Sequence, residues 1–411
     1  MDKKGILKSV GKTFKIAGIT FLSTITFMYG TSAIVGNITL ADYPKNSQIQ
    51  YIADELDCDT EYINERDDKY IKMQHNNDKP IYVCFDSALN EQEIASATHS
   101  LDYVFGIVSK INDNYKYEIV DKKTYDKKIF KNKMYFGLGK TDVSEEEAMS
   151  EGYIDSRINY ISQFTSKLTS IDYKISINRS NVPLEENRLN YLFTHEILHA
   201  FGLDDVYISK NTDRYIGNTY MKSPYGRQVG IITPNDYKCL LSLYTEKFDN
   251  DTEKQQTLEA HKKSVAEYEE YYYNYFTEKM VENYQLDQKV DRTQFVWHGF
   301  STFENKQQQK QVKNVFTIKV KDNAYTLEIY DTEKNLLDSA TGEVYQKNGV
   351  VILKEAQLKE GLTIGLSSHM KGFVQDFVLL KKDNKVSLLD IANNYNIDGV
   401  MGFLEIQTEL E

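Results

Sequence analysis

At 411 residues the chain is long enough for two domains with sizeable cores. A formal net charge of -12 excludes bulk electrostatic binding to nucleic acid, which needs clustered Lys and Arg, and an apolar fraction of 41% excludes a largely disordered chain. The three cysteines, Cys58, Cys84 and Cys239, are too few and too far apart to form a disulfide framework. Cys84 falls in a strand-like run and Cys239 in a helix-like one. Buried free thiols are the expectation, with pairing of two of them outside the cell left open.

Lys3, Lys4, Lys8, Lys12 and Lys15 precede a largely apolar run over residues 16–36. A basic start followed by such a run reads as an export signal. Small residues at Thr31-Ser-Ala33 and Thr39-Leu-Ala41 suit cleavage after Ala33 or Ala41. The alternative is a retained membrane anchor with its positive end inside. Residues 1–41 are therefore expected to be a signal peptide or anchor. Residues 42–78, polar and acidic, are expected to be a linker or short propeptide.

The first strand expected is Pro80–Phe85, rich in β-branched and aromatic residues. Asn90 then opens a helical pattern over Glu91–Ile111, with Ile94, Ala97, Leu101, Val104, Phe105 and Val108 at helix spacing. Tyr115–Val120, Lys133–Leu138 and Ser170–Asn178 read as further strands. Asn181 and Pro183 mark the start of a helix that runs to about Phe201 and stops at Gly202, and Thr233-Pro-Asn-Asp opens another to about Tyr244. Residues 250–288, charged, Tyr-rich and without Pro or Gly, predict one long helix. Beyond Thr293 the candidates are all strands: Phe295–Phe303, Val315–Val320, Ala324–Tyr330, Val350–Lys354, Leu362–Leu366 and Phe373–Lys381. Polar turns such as Lys321-Asp-Asn suggest an antiparallel sandwich or barrel, of lipocalin-like type.

The segment that carries chemistry is Thr194-His-Glu-Ile-Leu-His-Ala-Phe-Gly-Leu-Asp-Asp-Val-Tyr207. His195 and His199, four apart, project from one helix face, so both imidazoles can hold one zinc ion. Glu196 beside them can reach a water activated by that ion. Gly202 can take the left-handed conformation that ends the helix, and Asp205, three residues on, returns as a third ligand. Asp204 is the competing carboxylate, as ligand or as a cap of the turn. A buried helix with structurally satisfied histidines is the bland alternative.

These residues resemble the metzincin zinc endopeptidases, whose signature is two helical histidines, a catalytic glutamate, a glycine turn and a third ligand three residues past it. That ligand is usually His; Asp205 in its place resembles the snapalysin branch. Met221, in Asn218-Thr-Tyr-Met-Lys-Ser-Pro224, matches the methionine that packs beneath the metal, and the helix after Thr233 matches the family's closing helix. In some members a tyrosine two residues past the methionine assists the transition state. Here that place is Ser223, and Tyr225 is the nearest candidate helper. The resemblance covers about residues 79–246.

It implies a metzincin-like catalytic domain over 79–248 (a twisted mixed sheet with an active-site helix); the residue pattern beyond it adds a helical linker over 249–290 and an all-β accessory domain over 291–411, so the chain as a whole is expected to be α+β. The resemblance also implies an enzyme that binds Zn2+ and hydrolyses protein or peptide substrates, and the N-terminal run makes it secreted or cell-surface. The substrate is expected to add to strand Ile171–Ile177, taken as the sheet edge. Propeptide Cys or Asp residues often silence such enzymes, but the flanks of Cys58 in Glu55-Leu-Asp-Cys-Asp59 do not match, and a surface thiol in a linker is expected there. Two other readings compete: a silent metal-bearing protein that binds a partner through its C-terminal domain, and a zinc peptidase of another clan with a distant glutamate ligand.

Overall fold

The computed structural model describes residues 48–58, 62–63, 65–66, 69–70, 73, 80–128, 132–138, 154–159, 172–177, 186–207, 219–223, 231–284, 294–305, 310–347, 350–357, 374–382, 385–390 and 404–406. The expected signal or anchor (including residues 16–36), Leu362–Leu366 and Tyr225 lie outside them. No helix among the described residues is long and apolar enough to cross a membrane. The chain divides into two units: residues 1–44 with 72–185, and residues 45–71 with 186–411. The division at 185/186 falls inside the stretch 79–248 expected as one catalytic domain.

Part of the segment expected as a linker or short propeptide is folded. Helix α1 (Gln48–Leu56) buries Ile49, Ile52, Ala53 and Leu56, four positions at i, i+3, i+4 and i+7 that form one apolar face. A two-stranded ladder follows, β1 (Glu65–Arg66) with β2 (Lys69–Tyr70). Nor are all three thiols free: Cys58 is bonded to Cys239, and among the described residues only Cys84 is a free, buried thiol. The pairing spans 181 residues, and no local pattern encodes a contact at that separation. In the chain-entropy picture, closing such a loop stabilises the fold by up to about 5 kcal/mol.

The first unit is a five-stranded sheet in the order β4-β3-β5-β7-β6. Its strands are β3 (Ile81–Phe85), β4 (Tyr117–Ile119), β5 (Lys133–Leu138), β6 (Ile154–Asn159) and β7 (Asp172–Ile177). All neighbours run parallel except β6, which pairs antiparallel with β7. The β3–β4 crossover contains helix α2 (Glu91–Ile111), opened by a reciprocal cap: the Glu93 N–H donates to Asn90 Oδ1 at 2.9 Å, and the Asn90 N–H to Glu93 Oε2 at 2.8 Å. A short helix, α3 (Lys122–Lys127), connects β4 to β5. The strand expected as the sheet edge, β7, is paired on both sides; β6 stands outside it. Ile154-Asp-Ser-Arg-Ile-Asn159 carries few strand-favouring residues, so β6 left little sequence signal.

In the second unit, helix α4 (Glu186–Ala200) leads into β8 (Val206–Tyr207), which pairs parallel with β9 (Lys222–Ser223). Helix α5 (Pro234–Tyr244) starts at a Thr233 cap. Helix α6 (Asp251–Tyr284) has 34 residues and so spans about 51 Å. It is more than a linker. Leu258, Val265, Tyr272 and Phe276 are buried along it, and it packs on α1 and α5 and on two strands of the C-terminal sheet. Tyr237 stacks on Tyr268 at 4.3 Å and Tyr273 on Tyr345 at 5.4 Å.

That sheet is an antiparallel meander of eight strands in chain order: β10 (Gln294–Asn305), β11 (Lys310–Lys321), β12 (Ala324–Tyr330), β13 (Leu336–Lys347), β14 (Val350–Gln357), β15 (Val374–Lys382), β16 (Lys385–Asp390) and β17 (Leu404–Ile406). The first and last strands lie against each other, as in an up-and-down barrel. Asp322 and Asn323 both take positive φ, 50° and 62°, so Lys321-Asp-Asn-Ala324 is a two-residue type I′ hairpin. Alternate residues Tyr325, Leu327 and Ile329 point inward, onto Phe316, Ile318, Leu353, Phe377 and Leu379.

If α1 is core rather than linker, Ile52→Ala should lower stability by about 2–4 kcal/mol in urea unfolding followed by tryptophan fluorescence and circular dichroism. A change within about 0.5 kcal/mol, the usual effect at an exposed position, would return the segment to linker status.

Candidate metal centre

Among the described residues, one group of His, Cys, Asp and Glu side chains is close enough to hold a metal ion. One donor atom each from His195, Glu196 and His199 lies within 4.8 Å of the others. The two rings are 4.7 Å apart and nearly perpendicular, at 86°. The helix ends as the sequence predicts. Gly202 adopts φ 99°, its N–H donates to His199 O at 3.0 Å, and the Leu203 N–H donates to Leu198 O at 3.1 Å. This is the Schellman pattern, and a side chain at Gly202 would be strained.

The returning chain then serves both histidines. Asp205 Oδ1 lies 3.2 Å from His195 Nε2 and 3.4 Å from His199 Nε2. Asp204, exposed, accepts the Asp205 N–H at 2.9 Å, so it caps the turn and leaves Asp205 to face the imidazoles. Each ring turns its other nitrogen to a backbone carbonyl: His199 Nδ1 to Leu203 O at 2.8 Å, and His195 Nδ1 to Tyr220 O at 3.5 Å. A carbonyl can only accept, so it places the proton on Nδ1 and leaves the Nε2 lone pair for a metal. Ligands about 2.0–2.1 Å from a tetrahedral zinc ion are separated by about 3.3 Å. The two Asp205–imidazole distances match that edge, so the donor set fits zinc.

In the metal-free protein a proton on His199 offsets part of the carboxylate charge. Burial pushes the His199 imidazole down, but the Asp205 hydrogen bond and the Glu196 carboxylate outweigh it and raise the pKa to about 9. Burial pushes Asp205 up, but hydrogen bonds from both imidazoles outweigh it and hold the carboxyl well below its usual range.

The Tyr220 carbonyl sits on a braced loop. Buried Asp236 accepts four hydrogen bonds: from the Thr219 hydroxyl at 2.5 Å, the Tyr220 N–H at 2.7 Å, the Thr233 N–H at 3.0 Å and the Thr233 hydroxyl at 2.7 Å. Burial pushes this carboxyl up, and those bonds oppose it. Met221, fully buried, follows Tyr220, and its N–H donates to Thr219 Oγ1 at 3.1 Å. Because β8 and β9 pair in register, Asp205 and Met221 occupy equivalent positions one residue ahead of each strand.

No protein-family model matches the chain, and no curated protein matches it in sequence. The structure brings together His195, Glu196, His199 and Asp205, and it joins the Met221 loop to them through Tyr220. Sequence reasoning missed Asp236, although Thr233 with Asp236 three residues later is a capping-box signal. It also missed the carbonyls of Leu203 and Tyr220, which carry no side-chain signal at all.

Two outcomes follow from this geometry. Asp236→Ala strands two N–H groups and two hydroxyls, so it should cost about 3–5 kcal/mol of unfolding free energy. For zinc, the sign runs through His199. Its folded pKa lies above the ordinary 6.5, so the ion-pair stabilisation is complete below about 6.5 and fades as pH rises through about 9. Zinc must displace that proton, so its apparent affinity should rise nearly tenfold per pH unit from 7 towards 9 and then level. Competition with a chromophoric chelator of known protonation reads this directly, and a flat profile would contradict the assigned proton.

Proposed function

We propose that this chain is an exported zinc-dependent endopeptidase. The observation that carries the reading is the convergence of both imidazole Nε2 atoms on Asp205 Oδ1 beside Glu196. The mixed sheet before the helix, the glycine turn and the loop of Met221 agree with the metzincin resemblance. His195, His199 and Asp205 would hold the ion. When bound, zinc supplies a Lewis acid that polarises a scissile carbonyl and acidifies a water molecule.

The protein's own groups do the rest. Glu196, buried beside the histidines, takes the proton of the attacking water and passes it to the departing amine nitrogen, acting first as base and then as acid. The Leu203 and Tyr220 carbonyls hold the rings in the metal-binding tautomer throughout. With Asp205 as third ligand the site carries a net +1 with zinc, where three histidines would leave +2. The less positive centre acidifies water less. The Cys58–Cys239 disulfide supports export, because such bonds persist in oxidising compartments.

The test is digestion of a diverse peptide library by the zinc-loaded protein, before and after chelation. Cleavage should vanish with the metal and return on adding zinc. Glu196→Ala should keep its zinc and lose activity by at least about a thousandfold; full activity in that variant would sink the assignment. The acidic limb of the pH profile should move to lower pH in Asp205→His. A limb that stayed or moved up would refute the charge argument.

A further inference from the structure

The turn that carries Asp205 is held from outside by the segment upstream of the first sheet. The Asp204 N–H donates to Tyr62 O at 2.8 Å, and Ile63 forms an antiparallel bridge with Leu203. Leu203 is the residue whose carbonyl faces His199 Nδ1. Tyr62 and Ile63, both buried, therefore grip the two residues between Gly202 and Asp205. Four residues earlier stands Cys58, joined to Cys239 on α5. Ahead of it α1 packs on α5, Gln48 bonds to the backbone of Glu246 and Phe248 at 2.6 and 3.0 Å, and Lys262 pairs with Glu55 at 2.9 Å.

We propose that helix α1, Cys58, Tyr62 and Ile63 form a permanent strap of the metal centre. In it Tyr62 and Ile63 are positioning residues for Leu203 and Asp205, and the Cys58–Cys239 bond anchors the strap. This rests on the metal-centre reading above. The physical case is one of reach. A backbone hydrogen bond from a turn fixes that turn only if the accepting segment is itself fixed, and four residues from a covalent anchor leave little slack. Asp205 is the ligand with most need of such fixing. The histidines ride on a helix, whereas the aspartate lies on irregular chain between Gly202 and β8. The strap also changes how maturation is read. A cut anywhere in residues 64–79 would leave the strap attached through the disulfide, so it is no removable propeptide. Oxidation state becomes a condition for holding metal.

The experiment uses the full chain loaded with zinc and, in parallel, with cobalt(II), whose visible spectrum reports ligand geometry. The disulfide is opened with a water-soluble phosphine. Phosphine and water give phosphine oxide, and the two electrons and two protons released convert the bond to the Cys58 and Cys239 thiols. Zinc release to excess chelator should accelerate at least tenfold on reduction, and the cobalt bands should broaden or weaken. Cys58→Ser/Cys239→Ser should behave like the reduced protein, and Cys84→Ser like the oxidised one. Reduction starts from folded wild-type protein, so the test survives a double variant that fails to fold. Amide-exchange protection in β12 and β14 checks that the rest of the unit stays folded. Unchanged release and cobalt spectrum after complete reduction would overturn the strap while leaving the metal centre intact. An oxidised protein that binds neither metal would overturn both.

Discussion

The hydrogen bond between His199 Nδ1 and the Leu203 carbonyl, 2.8 Å long, is the constraint on which the site depends. It exists because Gly202 takes a positive φ and folds the chain back over the last helical turn. The same reversal delivers Asp205 to within 3.4 Å of the opposite nitrogen of the same ring. One turn thus sets the tautomer of a histidine and supplies its neighbouring acid. Neither effect survives without the other: a ring free to rotate would not present Nε2 to Asp205, and a turn of different shape would point its carbonyl elsewhere.

The two histidines are supported unequally. His199 is oriented by residues within four positions of itself. His195 looks to Tyr220, 25 residues away, across a longer 3.5 Å contact. That distant carbonyl is steadied by Asp236, which ties the loop to the start of α5 with both of its oxygens. The far end of α5 returns to the site, where the Tyr244 hydroxyl donates to Phe201 O at 2.8 Å at the end of α4. Cys239, between these two contacts, brings in the upstream strap. Helix α5 is therefore the member through which the methionine loop, the end of the histidine helix and α1 with Cys58 are all held.

How much of this was legible in the sequence follows the range of each interaction. The His195–His199 pair, the Gly202 stop and the caps at Asn90 and Thr233 are set by residues at most six apart, and the structure places them where the pattern does. Helix α6 was readable as a helix, but its packing was not. Its described buried positions are Leu258 and Val265, two turns apart, and then Tyr272, Tyr273, Phe276 and Thr277, so over its first half the stripe is too thin to stand out among charges. Short strands such as β16 and β17 gave little signal, and β13 was hidden because Leu336–Lys347 mixes Asp, Ser, Gly and Glu with its apolar residues. The Cys58–Cys239 bond and the Tyr62 contact were beyond reach for a different reason. Each joins residues well over a hundred positions apart, and a single sequence carries no periodicity at that range.

Electrostatics favours a cation at this site. Asp205 and Glu196 bring two carboxylates next to two imidazoles in a largely buried place, where unbalanced negative charge is costly. Without metal, His199 keeps its proton well above its ordinary pKa to supply the missing positive charge. A divalent ion would replace that proton with a stronger and better-centred charge, and it would use the same Nε2 that the proton occupied. Proton and metal thus compete for one atom, and the geometry that favours one already fits the other. A site built only for an ion pair would need a single imidazole. Two rings that share one carboxylate oxygen, each with Nδ1 turned to a carbonyl, is the arrangement expected of a metal site.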